Sequence, residues 1–358
     1  MVSLTTIRSQ NSVFLSTHPL VAVFTGGTSG LGEYAIRSLV QAHASTSSPH
    51  SLRIYIVGRN ASAALKTITD CNVIAPGKEV ELIFVKAEDL SLLKDVGRVC
   101  EEIMRMEREK EDSESGSEKA RIDWLCMSQS NSVQSFKGKK ISSEGLDTQF
   151  SLHYYSRIRL ITLLLPLLLS SLLPTGARIT SIYAAGMESS LYPTDISLRT
   201  HYSFTNVRSH VVYMTTLFFE TLTQKYPGKL AATHVYPGLV VTPGFYLEGY
   251  PVWFRVLRGV VGGFVGWAVG MGREEAGDRM VWTLGGEGFL PRGVEGRGMV
   301  MGTDGVRGGG AYAVGRLGEV CQTGKVYVKI RKGDLKERVW EHTMRAFEVI
   351  EKGGIFED

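Results

Sequence analysis

Cysteine is scarce in this sequence, and what there is lies scattered. Cys71, Cys100, Cys126 and Cys321 form no Cys-x-x-Cys, and no pair of histidines stands at metal-ligand spacing. A disulfide framework and a zinc site are excluded on that ground, which leaves free core thiols, a reducing compartment and no expected metal. Excess charge of one sign is missing too: 40 Lys+Arg stand against 36 Asp+Glu, a net charge of +4. With no basic stripe interleaved with aromatics, nucleic acid is not an expected partner. Long apolar runs are also few. Residues 160–177 are uncharged but contain Pro166, Ser170, Ser171, Pro174 and Gly176, and residues 259–272 are too short to span a bilayer. No membrane span is expected, and residues 160–177 read as a buried helix. The first 19 residues lack acids, but a single Arg8 and no amphipathic run make a poor transit peptide. A cytoplasmic location is the expectation that remains.

What is present is an ordinary globular composition, 43% hydrophobic and 21% charged over 358 residues, enough for a sizeable core. Short β-rich runs alternate with longer helical ones: LVAVF (20–24), RIYIV (53–57), VELIFV (80–85), IDWLCM (122–127), ARITSI (177–182) and LAATHV (230–235), with helical stretches at 31–42, 145–173 and 209–226. Near-continuous apolar strands separated by helices predict an α/β fold, a single doubly wound Rossmann-type parallel sheet with helices on both faces. One domain is expected over 1–358. Its core covers about 20–245, a substrate lid and Gly-rich lobe about 245–320, and a closing helix about 334–352, capped by Asp334 and stopped by Gly353. Residues 105–121 are charge-dense and predict a frayed helix end and a loop. Residues 259–318 hold 20 glycines without a fixed period and predict an irregular lobe, with a last strand in GAYAV or KVYVKI.

TGGTSGLG, residues 25–32, follows the first strand directly and opens a helix. Gly26, Gly30 and Gly32 let the backbone turn tightly and approach a pyrophosphate, with Thr28, Ser29 and Leu31 supplying amides at the helix N-terminus. That is the pattern of dinucleotide binding. After the second strand stands Arg59, where an acid would receive a ribose 2′-hydroxyl. A guanidinium suits the 2′-phosphate instead, so NADP(H) is the expected cofactor.

At this point the chain resembles the short-chain dehydrogenase/reductase family. TGGTSGLG (25–32), DLS (89–91) and YPGLVVT (236–242) carry the resemblance over about 215 residues. The helix EGLDTQFSLHYYSRIRLITLLLP and the segment ARITSIYAAG look most like a divergent branch of fungal secondary-metabolite pathways. The resemblance implies that Asp89 and Leu90 touch the adenine, and that Pro237, Gly238, Val240 and Thr242 border the nicotinamide. It also aligns Ser128-Gln129-Ser130 with the family's Asn-Ala-Gly.

The family's Ser-Tyr-Lys-Asn set does not match. None of the 14 tyrosines is followed four residues later by lysine. The Tyr and Lys positions are expected at Asn206 and His210, the helix Asn at His153, and the Ser at Tyr183 or Ala184. Tyr183, His210 and His153 are then the candidate proton carriers, and Asn206 a candidate hydrogen-bonding group without an acid's chemistry. The aromatic stretch at 245–267 suits a hydrophobic small molecule, or packing against a second subunit in a homodimer. The expected function is an NADP-dependent oxidoreductase of this type in secondary-metabolite biosynthesis. Two alternatives stay open: a repurposed isomerase, cyclase or dehydratase, and a catalytically silent NADP-binding protein.

Overall fold

The computed structural model describes the chain apart from Met1 and residues 114–118, 132, 134–136, 241, 247–248, 258, 261–269, 287, 297 and 322–324. Among the described residues seven strands form one sheet, all but the edge strand β3 buried along their length: β1 Leu20–Thr25, β2 Leu52–Gly58, β3 Val80–Lys86, β4 Trp124–Met127, β5 Ala177–Ile182, β6 Leu230–Val235 and β7 Ala311–Val314. Every pairing is parallel and the order is β3-β2-β1-β4-β5-β6-β7. The connection reverses direction between β1 and β4, which opens a crevice at the carboxyl ends of the strands. Register there is level: Thr25 pairs with Met127, Met127 with Ser181, and Ser181 with His234.

Helices cover both faces, because a parallel sheet has no polar side to offer water. On one side lie α1 Leu4–Leu15, α2 Gly30–Ala44, α3 Ala61–Ile74 and α8 Arg273–Gly285. On the other lie α4 Leu93–Ser113, α6 Ser156–Leu169, α7 Phe204–Lys225 and α10 Leu335–Glu351. The short α5 Thr148–Phe150 runs into α6 through a π-helical turn, Ser151–Tyr155, and α9 is Lys325–Ile330. Residues 160–177 thus hold most of a buried helix followed by the start of β5. Among the described residues no helix is long and apolar enough to cross a membrane.

The structure refines the sequence reading in four places. The N-terminal segment folds as α1, tied to α8 by Arg8 on Asp278, Asn11 Nδ2 donating to Asp278 O, and Trp282 Nε1 donating to Gln10. The charge-dense run does not fray at its start: α4 continues to Ser113 because buried Glu107 accepts from Tyr55 Oη at 2.6 Å and Arg53 Nη1 at 3.2 Å. Its residues 114–118 lie outside the described ones. Inside the Gly-rich lobe, α8 is a regular helix; Gly277 lets it close on α2, since a Cβ there would sit 2.4 Å from Tyr34 O. The last strand lies in GAYAV, one of the two segments expected to carry it, and KVYVKI is α9. Of the apolar stretch at 245–267, residues 261–267 and several before them lie outside the described residues, and 252–257 are helical.

Candidate active site

The cleft begins where β1 ends. Gly26 and Gly30 adopt φ of 76° and 63°, conformations that a Cβ would strain, and a Cβ on Gly26 would lie 2.7 Å from Gln129 N. Gly32 lets α2 approach β4, because its Cβ would sit 2.5 Å from Ser128 Oγ, and Gly58 leaves room for Thr28 in the same way. Ser29, the N-cap of α2, makes no side-chain capping bond, so the first-turn amides stay open to an incoming anion. The result is a cavity of about 390 Å³.

Most residues singled out from sequence for cofactor binding line this cavity: Gly26, Thr28, Ser29, Gly30, Leu31, Arg59, Asp89, Leu90, Ser128, Gly238, Val240 and Thr242. Gly32 lies beneath it as a close backbone approach, and Pro237 adjoins Gly238 half-buried. Thr242 packs against Gly30, which brings the segment after β6 over the loop after β1. Asp89 is fixed by accepting from Ser91 N at 2.9 Å and Ser91 Oγ at 2.7 Å. Sequence reasoning missed Gln149, Lys140 and Asn131, which line the far end. They come from the segment between β4 and the π turn, whose path sequence alone did not reveal.

Tyr183 follows β5 directly and is held by its N–H donating to Val235 O at 2.8 Å. Its ring lies 4.5 Å from that of His153, centroid to centroid, so these two candidates do meet. Burial pushes the Tyr183 phenol up to about 12, against the nearby Arg157 and Arg208 charges, which pull it down. His153 sits in the π turn, a feature common at functional sites. Its Nδ1 donates to Gln149 O at 2.8 Å, so Nε2 accepts from Ser130 Oγ at 3.2 Å. Burial, then Arg157, lowers it to about 3, so it stays neutral and serves as an orienting group rather than a proton source near neutrality.

None of the four catalytic candidates is among the residues lining the cavity: His153 stands behind its lining residues Ser130 and Gln149, Tyr183 packs on His153, and the other two turn elsewhere. His210 turns into the loop before α7: Nδ1 donates to Ile196 O at 3.2 Å and Nε2 accepts from Tyr192 N at 3.0 Å. Both nitrogens are used by backbone, and burial lowers its pKa to about 4. Asn206 braces the first turn of α7, with Nδ2 donating to His201 O at 2.7 Å and its own N–H donating to the N-cap Ser203 Oγ at 3.1 Å. The expected placement of the Tyr/Lys frame on 206 and 210 is therefore corrected. Ser203, which caps α7, marks in the sequence where this helix begins.

Sequence reasoning also missed Arg157. It reads as one more polar residue of a helix, yet its guanidinium is fully buried and joins Gln129 O, Ser181 Oγ and Ile182 O across the ends of β4 and β5. Two loops close the far end. Asp147 accepts from Lys140 N, Gln149 N and Phe150 N, and the C-terminal tail binds back through Phe356 N to Glu144 O.

No family model matches the chain. The short-chain dehydrogenase/reductase SAT2 of Stachybotrys chartarum is 36% identical over 364 residues, covering 98% of each chain. An oxidoreductase of Emericella nidulans is 30% identical over 353 residues, covering 96% of this chain and 97% of its own. Among solved structures, L-sorbose reductase from Gluconobacter frateurii, complexed with NADPH and L-sorbose, superposes with a TM-score of 0.51 at 17% identity, over 76% of this chain and 92% of that one. The Pseudomonas aeruginosa RhlG/NADP complex gives 0.50 at 17%, over 76% and 91%. These structures share the fold. The full-length curated relatives, together with the glycine turn after β1 and the strand order around it, establish that the chain belongs to the short-chain dehydrogenase/reductase family.

Proposed function

We propose that the protein is an NADP(H)-dependent oxidoreductase that acts on a hydrophobic small molecule in secondary-metabolite biosynthesis. The observation that carries this is the cradle after β1: two left-handed glycines and an uncapped helix N-terminus, with the exposed Arg59 at its lip. These residues fit a dinucleotide pyrophosphate, and Arg59 fits a 2′-phosphate. Thr28, Ser29, Gly30 and Leu31 would hold the phosphates, Asp89 and Leu90 the adenine, and Ser128, Pro237, Gly238, Val240 and Thr242 the far half. Bound there, NADPH supplies a hydride to an electrophilic carbon.

The chain's own part is proton delivery and orientation. Tyr183 is the proton donor: its O–H gives a proton to the substrate oxygen or nitrogen that gains negative charge. His153, neutral and tied to Ser130, fixes the Tyr183 ring by a tilted ring contact. A phenol held up to about 12 is a weak acid, which favours an activated substrate such as an imine or a conjugated carbonyl. A hydrophobic substrate is supported by the helical segment 252–257, where Val252, Trp253, Val256 and Leu257 are exposed. Just before it, Gly249 packs on Val133, close to Asn131 of the cleft. The fungal oxidoreductases that the chain resembles support the pathway setting, and the structural neighbours complexed with NADP and NADPH support the cofactor.

The test combines calorimetry of NADPH with turnover of a panel of hydrophobic ketones, enones and imines. The expected result is NADPH consumption and a product heavier by two hydrogens, lost in Tyr183→Phe. An isomeric or dehydrated product without consumption, or no NADPH binding, overturns the proposal.

A further inference from the structure

Val252, Trp253, Val256, Leu257 and Val260 are between 50% and 77% exposed, five large apolar side chains within nine residues. Residues 252–257 are helical. At about 100° a residue, Val252, Val256, Trp253 and Leu257 fall in one arc of about 140°. Phe254 stands beyond one edge of that arc and stacks on buried Tyr250, ring centroids 4.7 Å apart, while Trp253 meets Phe254 edge-on at 5.7 Å. Exposed Arg255 stands beyond the other edge. The helix thus rests on the protein through Phe254 and turns its apolar arc outward.

The segment is fastened next to the cleft on both sides. Ahead of it, Gly249 packs on Val133, where a Cβ would lie 2.7 Å from Val133 Cγ1. After it, Met271 N–H donates to Leu239 O at 3.0 Å and pairs Met271 with Val240, which lines the cavity. Its charge is one-sided: residues 249–273 contain Arg255, Arg258 and Arg273 and no Asp or Glu. An outward apolar arc flanked by cations is the pattern of a helix that lies in a lipid–water interface. A second copy of this chain fits the face less well. Five side chains are few beside the roughly 20–30 residues a side of a stable dimer, and a two-fold pairing of this run would oppose arginines with no acid from the same run.

We propose that the face formed by Val252, Trp253, Val256 and Leu257 docks the protein on an anionic phospholipid surface. The four side chains enter the boundary between headgroups and acyl chains, and Arg255 stays level with the lipid phosphates. Phe254 on Tyr250 holds the helix to the body of the protein. The cleft beside it then lies next to the layer in which a hydrophobic small molecule concentrates. That consequence rests on the function proposed above, whereas the docking rests on the helix and its charge alone. Contact through so few side chains is reversible and weakens with salt.

The test is flotation of the full chain with vesicles of phosphatidylcholine alone, and of phosphatidylcholine and phosphatidylserine in equal parts, with no substrate or nucleotide added. Binding to the mixed vesicles is expected, falling as salt rises, with a blue shift of tryptophan emission that is absent in Trp253→Phe. Leu257→Ser should weaken this binding about 10-fold. Arg255→Gln should weaken it about 5-fold on mixed vesicles and leave neutral ones unchanged. Both side chains are exposed, and near-ultraviolet dichroism identifies any variant that has not folded. No binding, equal binding to both kinds of vesicle, or binding untouched by Leu257→Ser in a folded protein overturns the proposal. So does a dimer in sedimentation that Leu257→Ser dissociates, without vesicle binding, which assigns the face to a second copy. Vesicle binding by a protein that fails to bind NADPH leaves the docking standing and removes the function proposed above.

Discussion

Arg59 offers the cleanest perturbation of the cofactor end. It is exposed at the cleft lip and, among the described residues, makes no hydrogen bond or ion pair. Arg59→Ala therefore breaks nothing within the fold, and stability should stay within about 0.5 kcal/mol of the parent. A charge-assisted contact to a 2′-phosphate contributes about 1.5–3 kcal/mol. Exposure and salt screening place this one at the lower end, so about 1.5–2 kcal/mol is expected, or roughly 10–30-fold in Kd. NADH has no phosphate at that position and should bind the variant as it binds the parent. Arg59→Lys keeps the charge but not the bidentate fork and should lose a smaller part. Calorimetry of NADPH and NADH with the parent and both variants, at low and high salt, measures all of this. The NADPH preference should narrow as salt rises. An equal loss for both nucleotides, or no loss for NADPH, refutes the assignment of Arg59 to the 2′-phosphate.

Gly26→Ala should lower stability by about 1–3 kcal/mol, because it places a side chain at φ 76° with its Cβ 2.7 Å from Gln129 N and 2.9 Å from Gln129 Cα; urea melts and loss of NADPH binding would show it, and parent-like values would argue against a rigid turn. Glu107→Ala should cost about 3 kcal/mol, since it strips buried Arg53 and Tyr55 of a shared partner, although Arg53 keeps the half-exposed Glu81; thermal melting reads this, and a change below about 1 kcal/mol would mean the cluster relaxes. The buried histidines predict acid sensitivity. His210 is lowered to about 4 and His153 and His234 to about 3, all mainly by burial, so each takes up a proton more readily when unfolded. Their stabilising effect is complete above pH about 6.5 and should fall by up to about 1.4 kcal/mol per histidine per pH unit as pH drops toward 4. A melting temperature that is flat from pH 7 to about 4.5 would refute it.

The alternation of apolar strands and helices determined the sheet, and local chemistry determined the loop after β1, since a tight turn into a helix N-terminus needs glycine wherever the rest of the chain lies. For the same reason Gly26, Arg59, Asp89 and Thr242 were legible one by one: each follows a strand, and parallel strands deliver their carboxyl ends to one edge. The proton-carrying end was not legible in this way. Its residues come from a π turn, a long loop and a helix start, and one residue of helical register rotates a side chain by about 100°. That rotation turns His210 toward Ile196 and Tyr192. Nor could sequence mark Arg157 as buried, because its three acceptors are brought together only when the ends of β4 and β5 pair beneath α6. Local sequence fixes what a short segment can do by itself, whereas burial and charge balance are set by the neighbours that folding supplies, and at this site those neighbours decide which side chain can carry a proton.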